Sequence, residues 1–330
     1  MSASFLWLSC PFLSVLAFLP TASAQARPSA RVVRDDAKEI DVNCWPDFVR
    51  LRWTGGRFLA IEANRSNSPI VCSADKDVVV TRWPVKIPDL GYLSIADAAG
   101  HDNGTTALVG GGFDNNSRIV RFLAHIAASR KETLVTRLDS YVACKAVIVP
   151  TGDVWTLGWI ADERNYLRRD KVFKRFDAAG RVVGTWAVSA HFRKGLPASV
   201  DAPEFASLKA SADRVGYLSP GNEYFEFALD GSEITRIPGP PLGKDHRIPV
   251  SLAMSQAGQV VIASQNGFKQ GDIWMLDRQT KRWTSLDTGG IPPWIELLGF
   301  DGDSIWASFA VGGFPRPQIL RMKLDLESDR

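Results

Sequence analysis

The sequence has few of the features that mark nucleic-acid-binding or membrane-spanning proteins. Its 39 Lys and Arg against 36 Asp and Glu leave a formal net charge of +3, spread along the chain, so no nucleic-acid partner is indicated. Beyond an apolar run at the N-terminus, no segment is apolar for long enough to span a bilayer. A helical apolar period of useful length is also missing, which argues against a helical fold.

Cysteine is scarce, with 4 residues in the chain, and the Cys and His spacings do not resemble a zinc site. In an exported chain, Cys44 and Cys72 are the preferred disulfide pair because both fall in the first repeat described below. The alternative is that these two and Cys144 are all unbonded thiols. The sequence contains no Gly-x-Ser-x-Gly, His-Glu-x-x-His or P-loop motif, so it indicates no particular enzyme class and no cofactor.

The N-terminal segment is predicted to be a cleaved secretory signal. Residues 5–19 are almost wholly apolar, and Ala22-Ser23-Ala24 forms a small-x-small cleavage site before Gln25. No Lys or Arg precedes the apolar run, which departs from the usual signal pattern. We predict a signal peptide over residues 1–24, a single soluble, monomeric domain over residues 25–330, and a secreted or periplasmic location.

What the chain does contain is an internal repeat, visible in two registers. The second strand of each predicted unit begins at Phe58, Ala107, Val154, Val215, Val260 and Ile305, a near-even spacing except for the long step from Val154 to Val215. The third strand ends, again at near-even spacing, at Asp75, Ala124, Asp177, Asp230, Asp277 and Asp325. The two registers agree on six units with a period of roughly 48 residues, which indicates a repeat architecture.

Each unit has the pattern of a four-stranded antiparallel meander. An apolar first strand, a tight polar turn and a second strand lead to a third strand, which ends at an Asp that can start a turn. The sixth unit lacks a fourth strand, whereas Ala30–Arg34 or residues 39–42 supply a spare one. We therefore predict an all-β, six-bladed β-propeller of four-stranded blades, closed by an N-terminal strand. A seven-bladed ring is the alternative, because the long step between the third and fourth units could hide further structure.

One unit carries a family resemblance. Residues 177–186, DAAGRVVGTW, form a strand–turn–Gly–strand pattern that resembles NHL-type repeats over residues 144–188, while the other units match only in outline. The resemblance implies a six-bladed propeller and does not imply one activity, since related propellers include lyases, lactonases and binding modules.

In a propeller, the loops that join second to third strands and fourth to next first strands lie on one face. Here they are the longer and more polar loops, over residues 112–117, 161–171, 190–205, 239–247 and 265–271. Such loops commonly carry binding sites. The predicted ligand-binding residues on this face are Arg164, Tyr166, Arg168, Arg169, His191, Lys194, Glu204, Asp245, His246 and Trp294.

Two hypotheses about function follow. The first is a binding module that holds a small molecule, glycan or peptide on the loop-rich face; its Arg cluster offers forked donors to an anion, or is a solvated loop. The second is a lyase or hydrolase that acts through His191 and His246, alone or with a divalent metal. The alternative for these two histidines is that they are ordinary loop residues, so the sequence leaves the ligand and the reaction open.

Overall fold

The computed structural model describes residues 30–34, 48–62, 66–76, 80–161, 168–187, 206–242, 248–265, 272–288, 295–309 and 318–326. These residues form 24 strands in six four-stranded antiparallel sheets. They include no helix, and therefore none that could cross a membrane. The predicted all-β fold with six blades of four strands is confirmed, and the seven-bladed alternative is not supported.

The blades follow the chain in order. Blade 1 contains β2 (Phe48–Thr54), β3 (Arg57–Glu62), β4 (Ile70–Ala74) and β5 (Val80–Pro84). Blade 2 contains β6 (Leu90–Gly100), β7 (Thr106–Asp114), β8 (Ile119–Ile126) and β9 (Thr133–Arg137). Blade 3 contains β10 (Tyr141–Ile148), β11 (Val154–Ala161), β12 (Arg168–Phe176) and β13 (Val182–Ala187).

The second half repeats the arrangement. Blade 4 contains β14 (Ser207–Ala210), β15 (Arg214–Leu218), β16 (Glu223–Ala228) and β17 (Glu233–Pro238). Blade 5 contains β18 (Ile248–Met254), β19 (Val260–Gln265), β20 (Ile273–Asp277) and β21 (Arg282–Leu286). Blade 6 contains β22 (Ile295–Asp301), β23 (Ser304–Phe309), β24 (Gln318–Leu326) and, as its outer strand, β1 (Ala30–Arg34).

The ring closes through β1. This strand pairs antiparallel with β24, with Ala30 opposite Leu326 and Arg34 opposite Met322. The first of the two predicted closing segments is therefore the correct one. Closure also covers the edge of β24, which would otherwise present unpaired backbone groups for aggregation.

The core lies between neighbouring blades, because each sheet buries both of its faces against the next. Between blades 3 and 4, for example, the rings of Phe173 and Tyr217 meet edge to face with centroids 5.3 Å apart. Trp155 is fully buried and stacks on Trp186 at 4.7 Å. Both tryptophans pack in the core between these blades.

The predicted Asp turns are also present. The Oδ1 atoms of Asp177, Asp230 and Asp277 each accept a hydrogen bond from the backbone N–H two residues later, at 2.8 to 3.0 Å. The Asp carboxylate at this position thus accepts a backbone hydrogen bond and starts the turn that leads to the fourth strand.

Polar bonds join blades as well. The guanidinium of Arg57 at the start of β3 donates to the carbonyls of Gly104 and Thr105 and to Thr106 Oγ1 in blade 2, at 2.9 to 3.0 Å. In blades 4 and 5, the buried carboxylate of Glu226 pairs with Arg214 at 3.2 Å and with Arg278 at 2.6 Å. Bonds of this kind fix the angle between one sheet and the next.

The role of β1 predicts the effect of proline there. A double Val32→Pro, Val33→Pro variant should lose at least one hydrogen bond to β24, because one of two successive N–H groups points at the neighbouring strand. We expect the free energy of unfolding in urea to fall by about 1–3 kcal/mol. The matched control, Val32→Thr with Val33→Thr, keeps both N–H groups and should stay close to wild type. If the proline variant and wild type unfold at the same urea concentration, closure of the ring by β1 is contradicted.

Candidate binding site in the central channel

Eight of the ten predicted ligand-binding residues lie outside the described residues. They are Arg164, Tyr166, His191, Lys194, Glu204, Asp245, His246 and Trp294. Arg168 and Arg169 begin strand β12, but their side chains are not described. The predicted site on the loop-rich face, including its two histidines, therefore stays a prediction. Cys44 also lies outside these residues, and Cys72 and Cys144 are buried in β4 and β10.

The described residues form a different site, at the opposite face of the ring. A cavity of about 510 Å³ lies where the first strands of all six blades run into their hairpin turns. We call it the turn-side cavity. Its wall includes one short segment from each of blades 1, 2, 3, 4 and 6 and two residues of blade 5, Met254 and Gln256. A cavity built by every blade must lie at the end of the channel that the first strands surround.

Glycines at the mouth of this cavity let neighbouring turns approach each other. The β2–β3 turn consists of Gly55 and Gly56, both with positive φ (57° and 67°), a conformation that suits glycine in a two-residue hairpin. A side chain at Gly55 would come within 2.7 Å of the backbone of Gly100 and His101 in blade 2. The glycine thus lets the turns of blades 1 and 2 meet at the rim.

An ion pair crosses the channel below this rim. Arg52 Nη2 in β2 lies 3.0 Å from Asp97 Oδ2 in β6, and the Asp97 side chain is fully buried. The same Oδ2 atom accepts a hydrogen bond from the backbone N–H of Ala146 in β10 at 2.8 Å, and Arg52 Nη1 reaches the Ala146 carbonyl at 3.5 Å. Three first strands are therefore joined by one carboxylate and one guanidinium.

Lys209 in β14 is the second cation of the turn-side cavity. Its Nζ donates to the carbonyl of Leu298 in β22 at 2.6 Å, so it also reaches across the channel between blades that are not neighbours. Lys209 is partly exposed and lines the cavity. Burial first, and then the positive charge of Arg52, lower the pKa of Lys209 from its ordinary value of 10.5 to about 7.

Further charges act on Lys209 from other first strands. Glu296 in β22, together with Asp97, opposes the lowering of the pKa, and Lys145 in β10 adds to it. Five of the six first strands thus contribute a charged side chain to one electrostatic cluster. The described residues contain no group of three or more His, Cys, Asp or Glu that could hold a metal ion.

Sequence reasoning missed this cluster, although a signal was present. Five of the six first strands carry a charged residue within a mostly apolar run. The residues stand in short segments of the sequence, namely Arg52 in FVRLRWT, Asp97 in SIADAAG, Lys145 in YVACKAVI, Lys209 in SLKA and Glu296 in IELLGFD. Charges that recur inside successive first strands indicate side chains that share the channel.

The buried pair predicts a large effect for one substitution. Asp97→Leu leaves Arg52 without its partner and the Ala146 N–H without its acceptor, so we expect the free energy of unfolding to fall by about 3 kcal/mol. Arg236→Met is the control: it breaks an exposed pair with Glu223 and should cost about 1 kcal/mol or less. If Asp97→Leu and Arg236→Met lose comparable free energies of unfolding in urea, the channel pair stabilises the fold no more than a surface pair does.

The pKa of Lys209 predicts a dependence of stability on pH. Between about pH 7 and 10.5 the unfolded chain holds a proton on this amine that the folded chain has released, so stability rises with pH across this window. The free energy of unfolding of wild type relative to Lys209→Met should therefore increase from pH 7 to 10, by at most about 1.4 kcal/mol per pH unit. Lys323→Met, which removes an exposed lysine, is the control. A difference between wild type and Lys209→Met that does not change with pH would contradict the lowered pKa.

Comparisons with known proteins confirm the fold and go no further. No protein-family model and no curated protein matches the chain. The structure is similar to the PQQ-bound form of aldose sugar dehydrogenase from Streptomyces coelicolor, with 12% identity over 91% of this chain and 99% of that one, at a TM-score of 0.51. It is also similar to the propeller domain of the trilobed protease from Pyrococcus furiosus, with 8% identity over 81% and 79% of the two chains and a TM-score of 0.47. At such identities the likeness is one of fold, and the NHL resemblance receives no support from a family match.

Proposed function

We propose that this propeller is a binding module that holds a small anionic ligand, above all a carboxylate, in the turn-side cavity. The observation that carries the proposal is the pair of cations, Arg52 and Lys209, that blades 1 and 4 bring to this cavity. A guanidinium offers several donors in one plane, and Arg52 uses only part of them on Asp97 and Ala146. Such a site favours a planar anion.

Size and surroundings favour a small molecule over a protein partner. A volume of about 510 Å³ lies within the range of small-molecule sites, roughly 300–1,000 Å³. Besides the two cations, the wall is mostly backbone, Ala and Gly, with His101 at the blade 2 turn. Two carboxylates at the turns, Asp102 and Asp301, oppose an anion, but Asp301 is 3.6 Å from Arg321. Arg52 and Lys209 are the basic side chains of the wall that would bind an anion, beside Asp97, which already pairs with Arg52.

The proposal keeps the binding-module hypothesis and adds the turn-side cavity as a second candidate site for the ligand. A ligand, glycan or peptide on the loop-rich face, and a lyase or hydrolase acting through His191 and His246, stay separate proposals because those loops lie outside the described residues. We also propose export, on the strength of the predicted signal over residues 1–24.

Blocking the mouth of the cavity tests the proposal. Titration calorimetry of wild type with acetate, propionate and pyruvate should show binding that Arg52→Met weakens at least about tenfold, as expected when a charge-assisted contact of roughly 1.5–3 kcal/mol is lost. Ala212→Trp puts a large side chain at an exposed turn on the cavity wall. We expect this variant to abolish binding. Ala179→Trp, in an exposed turn of blade 3 away from this cavity, should bind like wild type. Binding that both Ala212→Trp and Arg52→Met retain would mean that the ligand binds elsewhere and would contradict the proposal.

A further inference from the structure

We propose that Lys209 is a nucleophilic amine that forms a reversible imine with a small 2-oxo acid or aldehyde acid bound in the turn-side cavity. This inference deepens the proposed function and rests on it, because Arg52 would hold the carboxylate while Lys209 meets the carbonyl. It names a chemical class of ligand: a carboxylate with an aldehyde or ketone on the adjacent carbon.

The position of Lys209 carries the proposal. Its side chain lines the cavity, so a ligand that enters from the turn-side mouth can reach it. Its Nζ donates a hydrogen bond to the Leu298 carbonyl, and an amine that donates in this way still has a lone pair when it is neutral. The hydrogen bond also fixes the direction of the amine, which would otherwise rotate freely at the end of a flexible stem.

The charges around Lys209 favour the neutral amine. Arg52 in β2 and Lys145 in β10 disfavour its protonation, Asp97 in β6 and Glu296 in β22 favour it, and blade 5 presents Met254 and Gln256, which carry no charge. Burial has the largest effect, and together with these charges it lowers the pKa of the amine to about 7, so a substantial share is unprotonated at neutral pH. An exposed lysine with a pKa near 10.4 is protonated almost completely there.

The neighbouring guanidinium explains the choice of carbonyl compound. Arg52 and Lys209 both line the turn-side cavity, and Arg52 is the charge with the largest effect on the pKa of Lys209. A 2-oxo acid has its carboxylate and its carbonyl on adjacent carbons, and can present both to such a pair. A plain aldehyde lacks the first contact, and a plain carboxylate lacks the second.

The reaction is a condensation that needs no oxidant or reductant. The lone pair of Lys209 Nζ attacks the carbonyl carbon, the C=O π bond breaks, and the carbonyl oxygen takes a proton to give a carbinolamine. Loss of that oxygen as water, with the two hydrogens that the amine contributed, leaves the C=N bond of the imine. Hydrolysis reverses each step, so the ligand is held covalently and can still be released.

Reductive trapping tests the inference on the full-length protein. Wild type is incubated with glyoxylate or pyruvate and sodium cyanoborohydride, and the modified lysines are identified by peptide mass spectrometry. We expect Lys209 to be modified at least tenfold faster than Lys323, an exposed lysine of β24 that serves as an internal reference. The rate at Lys209 should level off above about pH 7.

Two variants sharpen the test. Arg52→Met should slow the modification of Lys209, because the carboxylate contact and the charge that favours the neutral amine are both lost. Lys145→Met removes a more weakly coupled cation and should slow it less. Equal rates at Lys209 and Lys323, or no adduct at Lys209 in folded wild type, would overturn the inference.

Propionate, which has the carboxylate but no carbonyl, separates this inference from the proposed function. Propionate binding without an adduct at Lys209 would overturn the imine and leave the carboxylate site in place. An adduct at Lys209 without propionate binding would support the reactive amine and overturn the carboxylate site. Absence of both would overturn both.

Discussion

Every first strand of the ring has one edge that faces the channel, where no further strand can pair with it. Backbone N–H and C=O groups on such an edge need partners when water is excluded. Asp97 Oδ2 accepts from Ala146 N–H, and Ser251 Oγ accepts from Leu297 N–H at 2.8 Å, each in the next blade. Arg52 and Lys209 donate to the carbonyls of Ala146 and Leu298 on more distant blades. The polar channel therefore follows from the fold's geometry.

The same side chains then acquire chemical properties that a surface would not give them. A carboxylate that satisfies a buried N–H needs a cation beside it, which accounts for Arg52 next to Asp97. Burial, and then that cation, lower the pKa of Lys209, since two positive charges repel each other. A need for backbone partners thus places a guanidinium and a lysine of lowered pKa at the wall of one cavity.

The sequence predicted the ring well because its evidence is repeated. Six units share one order of strands and turns, and the missing fourth strand of the last unit matched a spare strand at Ala30–Arg34. The cavity was not predicted, because a lone charge such as Lys209 within SLKA is meaningful only once the strand is known to face the channel. The prediction relied instead on the general rule that binding sites lie on long polar loops. That rule does not identify a particular side chain. Its candidates His191 and His246 belong to those loops.

The pairing of β1 with β24 also sets an order of events during synthesis. Arg34 and its partner Met322 stand near opposite ends of the sequence, so the first strand is made long before the last. At roughly 5–20 residues per second, the ribosome needs about 15–60 seconds to cover that distance. Until β24 is made, β1 cannot form this pairing and blade 6 cannot be completed. A chaperone that shields β1 for this time would protect the strand that later pairs with β24.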